Sequence, residues 1–330
     1  MDVLSEVLSA VRLHGALFFN AEFSAPWCIS SSGAVGIAPH LPFSGAHLIM
    51  FHFLTEGRAY ALLEDERVEL SAGDIVVLPG GDSHLLGNGS PQKPVDSFRT
   101  WAKNVADGLK VVHFGGGGEI TRFVCGYMAC DPRLCEVLLS GLPRILKVPV
   151  ASGPSGKWIE NSIRFSVDAP AGAGSSLVVG KLSEVLFVET LRSYINTLSE
   201  EQTGWLAGLR DPNLAKALAL MHRDPAREWT VEGLAKDVGL SRTRLAERFR
   251  HYLGMSPIAY LTDWRMRIAA EALEKTDKSV VEVAMDVGYN SEAAFNRAFK
   301  RAYNAPPAQF RQSRKGGKIV DIKAEPAMAV

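Results

Sequence analysis

The chain has 330 residues, 47% hydrophobic and 22% charged, with 36 basic and 36 acidic side chains and a formal net charge of zero. This is the composition of a soluble globular protein long enough for two domains, and no apolar run is long enough to span a bilayer: Leu177 to Leu191 is broken by Lys181, Glu184 and Glu189. The zero is a sum of unlike halves: residues 1–204 hold 15 Lys and Arg against 21 Asp and Glu, and residues 205–330 hold 21 against 15. A basic half on an acidic one fits a polyanion-binding module joined to a sensor, the alternative being uneven surface charge without meaning.

In chain order, Val3, Leu4, Val7, Leu8 and Val11 have helical spacing and are expected to cover a sheet. The start lacks a basic segment and a small-residue cleavage site, which argues against a signal peptide. From Ala16 to about Val124 short apolar runs are punctuated by Gly and Pro, and strands are expected at Leu48–Leu54, Arg58–Leu63, Arg67–Leu70, Ile75–Leu78 and Val111–Phe114. That spacing suits a small antiparallel sandwich or barrel. Gly115–Gly118 lacks the Lys-Ser/Thr of a phosphate loop and is expected to be a plain loop. Cys28, Cys125, Cys130 and Cys135 suit free thiols in a reducing cytoplasm; a spacing of five among the last three is neither a zinc knuckle nor one face of a strand.

A proline-rich stretch follows, then a long helix from Ser175 to Leu198. Leu177, Glu184, Val188, Leu191, Ile195 and Leu198 form a seam that Val178, Leu182, Val185 and Leu186 broaden. One face could pack on the barrel and the other on a second copy, making a homodimer; equally, the helix could be buried within its own domain. Glu200–Gly204 is the expected linker.

Beyond Trp205 the text is helical throughout, and one pattern occurs twice. Leu234-Ala235-Lys236-Asp237-Val238-Gly239-Leu240 aligns with Val283-Ala284-Met285-Asp286-Val287-Gly288-Tyr289. Leu245, Phe249, Arg248 and Pro257 then match Phe295, Phe299, Ala298 and Pro307, with a slip of one residue in the turn. Each copy predicts helix, glycine turn, helix: Val231–Val238 then Arg242–Leu253, and Val280–Val287 then Glu292–Tyr303. Ser279 and Glu282 form a capping box, and Ser291 or Asn290 caps the last of these helices. Asn213–Arg223 is a scaffold helix, Pro257–Lys275 joins the two units, and Pro307–Gln312 closes the fold. The tail after Lys315 is expected to be disordered.

The carboxyl-terminal block, including GYNSEAAFNRAFKRAYNAPPAQFR, resembles the DNA-binding domain of the AraC/XylS family of bacterial transcription regulators. Gly73, Pro79, Gly81, His84 and Asn88 resemble the second motif of the cupins, and APWCI, FHFLTEG and VCGYMACD extend the likeness to a cupin-type sensor domain of that family. The expected fold is therefore multi-domain α and β. A cupin-like β-barrel (double-stranded β-helix) spans residues 1–165, a helical dimerisation and linker segment 166–204, an all-α double helix-turn-helix domain 205–314, and a tail 315–330.

The resemblance implies promoter DNA as partner, a small-molecule effector, a homodimer, RNA polymerase if the protein activates, no membrane and a bacterial cytoplasmic location. With Leu245, Phe249, Phe295 and Phe299 turned inward, base contacts are expected from Arg242, Thr243, Ala246, Glu247, Glu292, Asn296 and Arg297. Phosphate contacts are expected from Arg250, Arg265, Lys300 and Arg301. Two such helices would lie in adjacent major-groove segments roughly 34 Å apart. The candidate ligand pocket is Trp27, Met50, His52, Tyr60 and His84.

In metal-binding cupins the counterpart of His84 is a ligand, with two histidines and a glutamate from an earlier strand. Here Met50 stands where that glutamate belongs and no His-x-His pair precedes it, so no cofactor is expected; His52 and His84 remain the only metal candidates. The protein is accordingly expected not to be an enzyme. The alternatives are a cupin oxygenase or isomerase fused to a DNA-binding domain, and an architectural DNA-binding protein without effector.

Overall fold

The structure, a computed structural model, describes residues 4–5, 7–8, 13–40, 45–90, 92–97, 111–139, 141–150, 156–158, 160–163, 175–199 and 201–315. It divides into two compact units, Val11–Glu200 and Glu201–Val330, the latter taking in Met1–Ala10. The expected amino-terminal helix is seen as helical backbone at Leu4, Ser5, Val7 and Leu8. These residues fall with the second unit. The tail after Lys315 lies outside the described residues.

In the first unit, alternating and β-branched runs form eleven described strands: β1 His14–Ser24, β2 Trp27–Ser31, β3 His47–Glu56, β4 Arg58–Leu63, β5 Glu66–Ser71, β6 Asp74–Leu78, β7 His84–Asn88, β8 Val95–Asp96, β9 Val111–Gly115, β10 Ile120–Cys130 and β11 Leu146–Pro149. They make a six-stranded sheet, β11-β6-β3-β10-β1-β9, and a five-stranded one, β5-β4-β7-β2-β8. Pairing is antiparallel except at two edges, where β9 joins β1 and β8 joins β2 in parallel. The core between the sheets takes every second residue of its strands: Leu48, Met50 and Leu54 from β3, Ala59, Ala61 and Leu63 from β4, and Phe123, Cys125, Tyr127 and Ala129 from β10.

Two short helices, α1 Gly33–Ile37 and α2 Pro132–Leu139, lie between strands. Cys135, on α2, is disulfide-bonded to Cys130 at the end of β10, with a Cα separation of 6.4 Å. The expectation of four free thiols is corrected here. A strand end followed at once by a helix folds the chain back and brings the two positions within bonding reach. Only Cys28 and Cys125 are free, and both are buried.

Helix α3, Ser175–Thr197, packs mainly on β1. The approach is close: a Cβ on Gly15 would stand 2.9 Å from the Gly180 carbonyl oxygen, and one on Gly180 2.7 Å from that of Gly15. With small residues at the crossing, the buried face takes in Gly180, Ser183, Leu186, Phe187, Thr190 and Leu191; of the expected seam, Leu191 and Leu198 are buried. Leu177 and Val178, on the expected apolar surface, are 67% and 55% exposed, so of the two alternatives the helix is not the one wholly buried in its own domain.

The second unit is helical: α4 Trp205–Gly208, α5 Pro212–Arg223, α6 Val231–Asp237, α7 Arg242–Leu253, α8 Pro257–Lys275, α9 Val280–Asp286, α10 Glu292–Tyr303 and α11 Pro307–Lys315. Its first half is centred on Tyr260, whose hydroxyl accepts from Trp205 Nε1 at 2.9 Å and lies 2.7 Å from His222 Nε2. The His222 ring stacks on Trp264 at 4.2 Å. Met266, Leu273, Val283, Phe295, Phe299 and Phe310 form the core of the second half. Helix α8 supplies residues to both halves, and so fixes one against the other.

Candidate nucleic-acid interface

The duplication read in the sequence is reproduced in three dimensions. Thr230 and Ser279 cap the supporting helices α6 and α9, accepting from the amides of Gly233 and Glu282 at 3.0 and 3.1 Å. Ser279 also donates its own amide to Glu282 Oε2 at 2.7 Å, completing the capping box. Each supporting helix ends in the same turn. Leu240 N donates to Ala235 O at 2.9 Å, Tyr289 N to Ala284 O at 2.8 Å, and the intervening Gly239 and Gly288 have φ of 76° and 85°. A left-handed φ at this point is what turns the chain sharply enough to start a second helix, and a side chain there would be strained.

The second helix of each copy is capped alike, by Ser241 onto Arg244 N and by Ser291, rather than Asn290, onto Ala294 N. Leu245 and Phe249 in α7, and Phe295 and Phe299 in α10, are fully buried. Those anchors turn the remaining arc of each helix to solvent. Arg242, Thr243, Glu247 and Arg250 are exposed on α7, as are Glu292, Ala293, Arg297, Lys300 and Arg301 on α10. Ala246 and Asn296 occupy matching positions and are partly buried; the Asn296 Oδ1 is sealed from solvent without a hydrogen-bond partner.

Arg265 is placed otherwise than expected. Its guanidinium donates from Nε to the Pro225 carbonyl at 2.6 Å and from Nη2 to the Arg227 carbonyl at 2.8 Å, and it lies over the Tyr289 ring. Burial draws its pKa down from the usual guanidinium value. The side chain thus clamps the loop after α5. A helix position read only for charge gives no sign of this, because the loop it grips lies 38 to 40 residues away.

Two residues on α7 escaped the sequence expectation. Arg244, in the first turn, is exposed. Arg248 forms an ion pair with Asp211, which is buried and caps α5 by accepting from the amides of Asn213 and Leu214. The signal for Arg248 was its failure to repeat, since Ala298 holds the matching place in α10.

In the first unit His52 and His84 do meet. Their Nε2 atoms are 2.6 Å apart, His52 Nδ1 is 2.5 Å from Cys125 Sγ, and His84 Nδ1 donates to the Asp82 carbonyl at 2.8 Å. Burial lowers the pKa of both imidazoles, that of His52 well below the usual value, and raises that of the Cys125 thiol well above it. The cluster is therefore neutral, with one proton between the two Nε2 atoms.

Trp27 and Met50 belong to the same core. Tyr60 does not: Ala59 and Ala61 take the inward positions on β4, so Tyr60 faces the other side of its sheet, donates to Cys28 Sγ at 3.8 Å and is covered by the Arg67 guanidinium. The pocket expectation is corrected at that residue. The donor set does not fit a cupin metal, because the His52 ring stands between Cys125 and His84 and turns a different nitrogen to each. Among the described residues no three His, Cys, Asp or Glu side chains converge on one point.

Residues 2–196 match the model of a family described as Cupin, and residues 234–313 that of a family described as Helix-turn-helix domain. A Streptomyces lividans protein named as an AraC-like transcription regulator is 31% identical over 316 residues, covering 94% of this chain and 98% of its own. The HTH-type transcriptional regulator AlkR of Acinetobacter baylyi is 28% identical over 321 residues, with 94% and 99% covered. A solved AraC-type transcriptional regulator structure from Chromobacterium violaceum is 30% identical, covers 32% of this chain and 94% of that one, and has a TM-score of 0.31.

Proposed function

The chain belongs to the AraC-like transcription regulators with an amino-terminal cupin domain, and on that premise we propose that it reads a promoter through both α7 and α10 and answers to a small molecule at its first unit. The observation that carries this is the repeated turn of Gly239 and Gly288, which leaves two matching helix arcs bare. Arginine pairs with guanine O6 and N7, and glutamate accepts from cytosine N4. Arg242, Thr243, Glu247, Glu292 and Arg297 thus face base edges, with Ala246 and Asn296 at the margin of each arc. Arg250, Lys300 and Arg301 face phosphates, which position the protein without specifying sequence.

Three further assignments complete the proposal. The first unit senses its effector in the core that holds Trp27, Met50, His52 and His84, and it is not a catalyst: its full-length relatives are named as regulators. Two copies pair through the bare apolar face of α3, where Leu177, Val178 and Val185 are exposed. The protein works in the bacterial cytoplasm and, where it activates, beside RNA polymerase. No helix among the described residues is long and apolar enough to cross a membrane.

The test is binding of the full chain to a selected duplex and to its single base-pair variants. Arg297→Ala is expected to lose about 1–3 kcal/mol and to relax preference at one position. A uniform loss over every sequence would demote Arg297 to a backbone contact. Thermal melting against a metabolite panel tests sensing, since a ligand selective for the native state raises Tm.

A further inference from the structure

The two reading helices share one scaffold but carry different chemistry at matched positions. We propose that the halves of the DNA site differ accordingly: α7 selects a half rich in G·C pairs, while α10 selects a half in which Ala293 reads the methyl group of a thymine. This rests on the double helix-turn-helix assignment above and names the sequence class it selects.

The register is fixed by structure. Ser241 and Ser291 cap in the same way, and Leu245 with Phe249 match Phe295 with Phe299 as buried anchors. Arg242 therefore stands where α10 has Glu292, Thr243 where it has Ala293, Arg244 where it has Ala294, and Glu247 where it has Arg297. The first turn of a recognition helix is the part that reaches base edges most directly.

In α7 that turn presents two exposed arginines and a threonine, with Glu247 exposed one turn later. Arginine takes guanine by two hydrogen bonds and glutamate takes the cytosine amine, so this set discriminates among G·C pairs. Arg248 does not compete for bases, because Asp211 holds it.

In α10 the first turn offers one polar reader, Glu292, followed by exposed Ala293 and partly buried Ala294. Asn296, the residue suited to adenine, is drawn in with its carbonyl oxygen sealed. What remains in that turn is a short side chain that lets the backbone approach the groove closely. Its methyl group finds its match in the C5 methyl of thymine, the one apolar feature of the major-groove edge. Arg297 adds a guanine to this half, so it is mixed rather than G·C-rich.

The experiment starts with the full chain and a library of random duplexes. The recovered site is expected to have unlike halves, and Arg244→Ala should relax one guanine of the G·C-rich half. Deoxyuridine is then put in place of each thymine in turn, which removes the C5 methyl and nothing else. Loss of one buried methyl contact should weaken binding about three- to fivefold at a single thymine in the mixed half. In Ala293→Gly that sensitivity should disappear. If the glycine variant melts early, Ala293→Ser keeps the helix, sets a hydroxyl against the methyl, and should lose the thymine preference likewise.

Two equivalent halves, tolerance of deoxyuridine throughout, or sensitivity that persists in both Ala293 variants would overturn the inference and leave the double helix-turn-helix assignment standing. Failure to enrich any sequence from the library would overturn both.

Discussion

Arg265 Nε donates to the carbonyl oxygen of Pro225 at 2.6 Å, across 40 residues of chain. With the second bond to Arg227, this ties the helix that joins the two helix-turn-helix units to the loop after α5. The second turn is packed on that same loop: a Cβ on Gly288 would stand 2.4 Å from the Ala226 carbonyl oxygen. The placement of α7 against α10 therefore depends on contacts made outside both helices.

Arg265→Lys is the direct test of the clamp. An ammonium group cannot reproduce two forked, charge-assisted bonds to separate carbonyls, one of them part-buried. The expected loss is about 1–3 kcal/mol in denaturant unfolding, together with weaker binding to a two-half site but little change for a single half.

The two turn glycines separate strain from packing. A Cβ on Gly239 would meet nothing within 4 Å, whereas one on Gly288 would run into Ala226. Gly239→Ala should lose only the cost of a positive φ, about 1 kcal/mol. Gly288→Ala should lose distinctly more in the same melt, because the loop must also shift.

Arg248 and Arg250, two residues apart on α7, are expected to behave oppositely. Arg248→Ala leaves the buried Asp211 carboxylate without its cation and should destabilise the fold by about 1–3 kcal/mol. Arg250→Ala should alter stability by less than about 0.5 kcal/mol. It should instead weaken all duplexes alike and reduce the slope of log K against log salt by about one.

His222 gives the second unit a pH dependence of definite sign. Burial pulls its pKa from 6.5 to about 3, so the folded protein keeps it neutral where the unfolded chain binds a proton. Its contribution is constant above about pH 6.5 and is lost as pH falls from there towards 3, at up to about 1.4 kcal/mol per pH unit. His52 and His84 shift in the same direction in the first unit. Unfolding curves between pH 7 and 5, followed in the wild type and in His222→Phe, should show a flatter slope in the variant; equal slopes would refute the assignment.

The helical unit was legible because its determinants are local. Caps at Ser279 and Ser291, glycines where φ must be positive, and phenylalanines four apart act within a few residues of themselves, so α7, α8 and α10 lie where their sequence put them. Much of the sandwich was legible from period-two runs, including β3 and β4. Tyr60 was not, because both faces of β4 are buried and alternation alone does not say which one looks inward.

The sequence by itself determined that this protein carries two copies of a turn made to present a helix, and which side chains that helix must hide. Tertiary structure alone decided which of the remaining charges are available. It closed Arg248 onto Asp211, drew Arg265 into a loop 40 residues away, sealed the carbonyl of Asn296, and joined Cys130 to Cys135. A charge or a thiol is assigned by whatever lies within a few ångströms of it, and that neighbour is set by packing between distant segments, which no local pattern encodes.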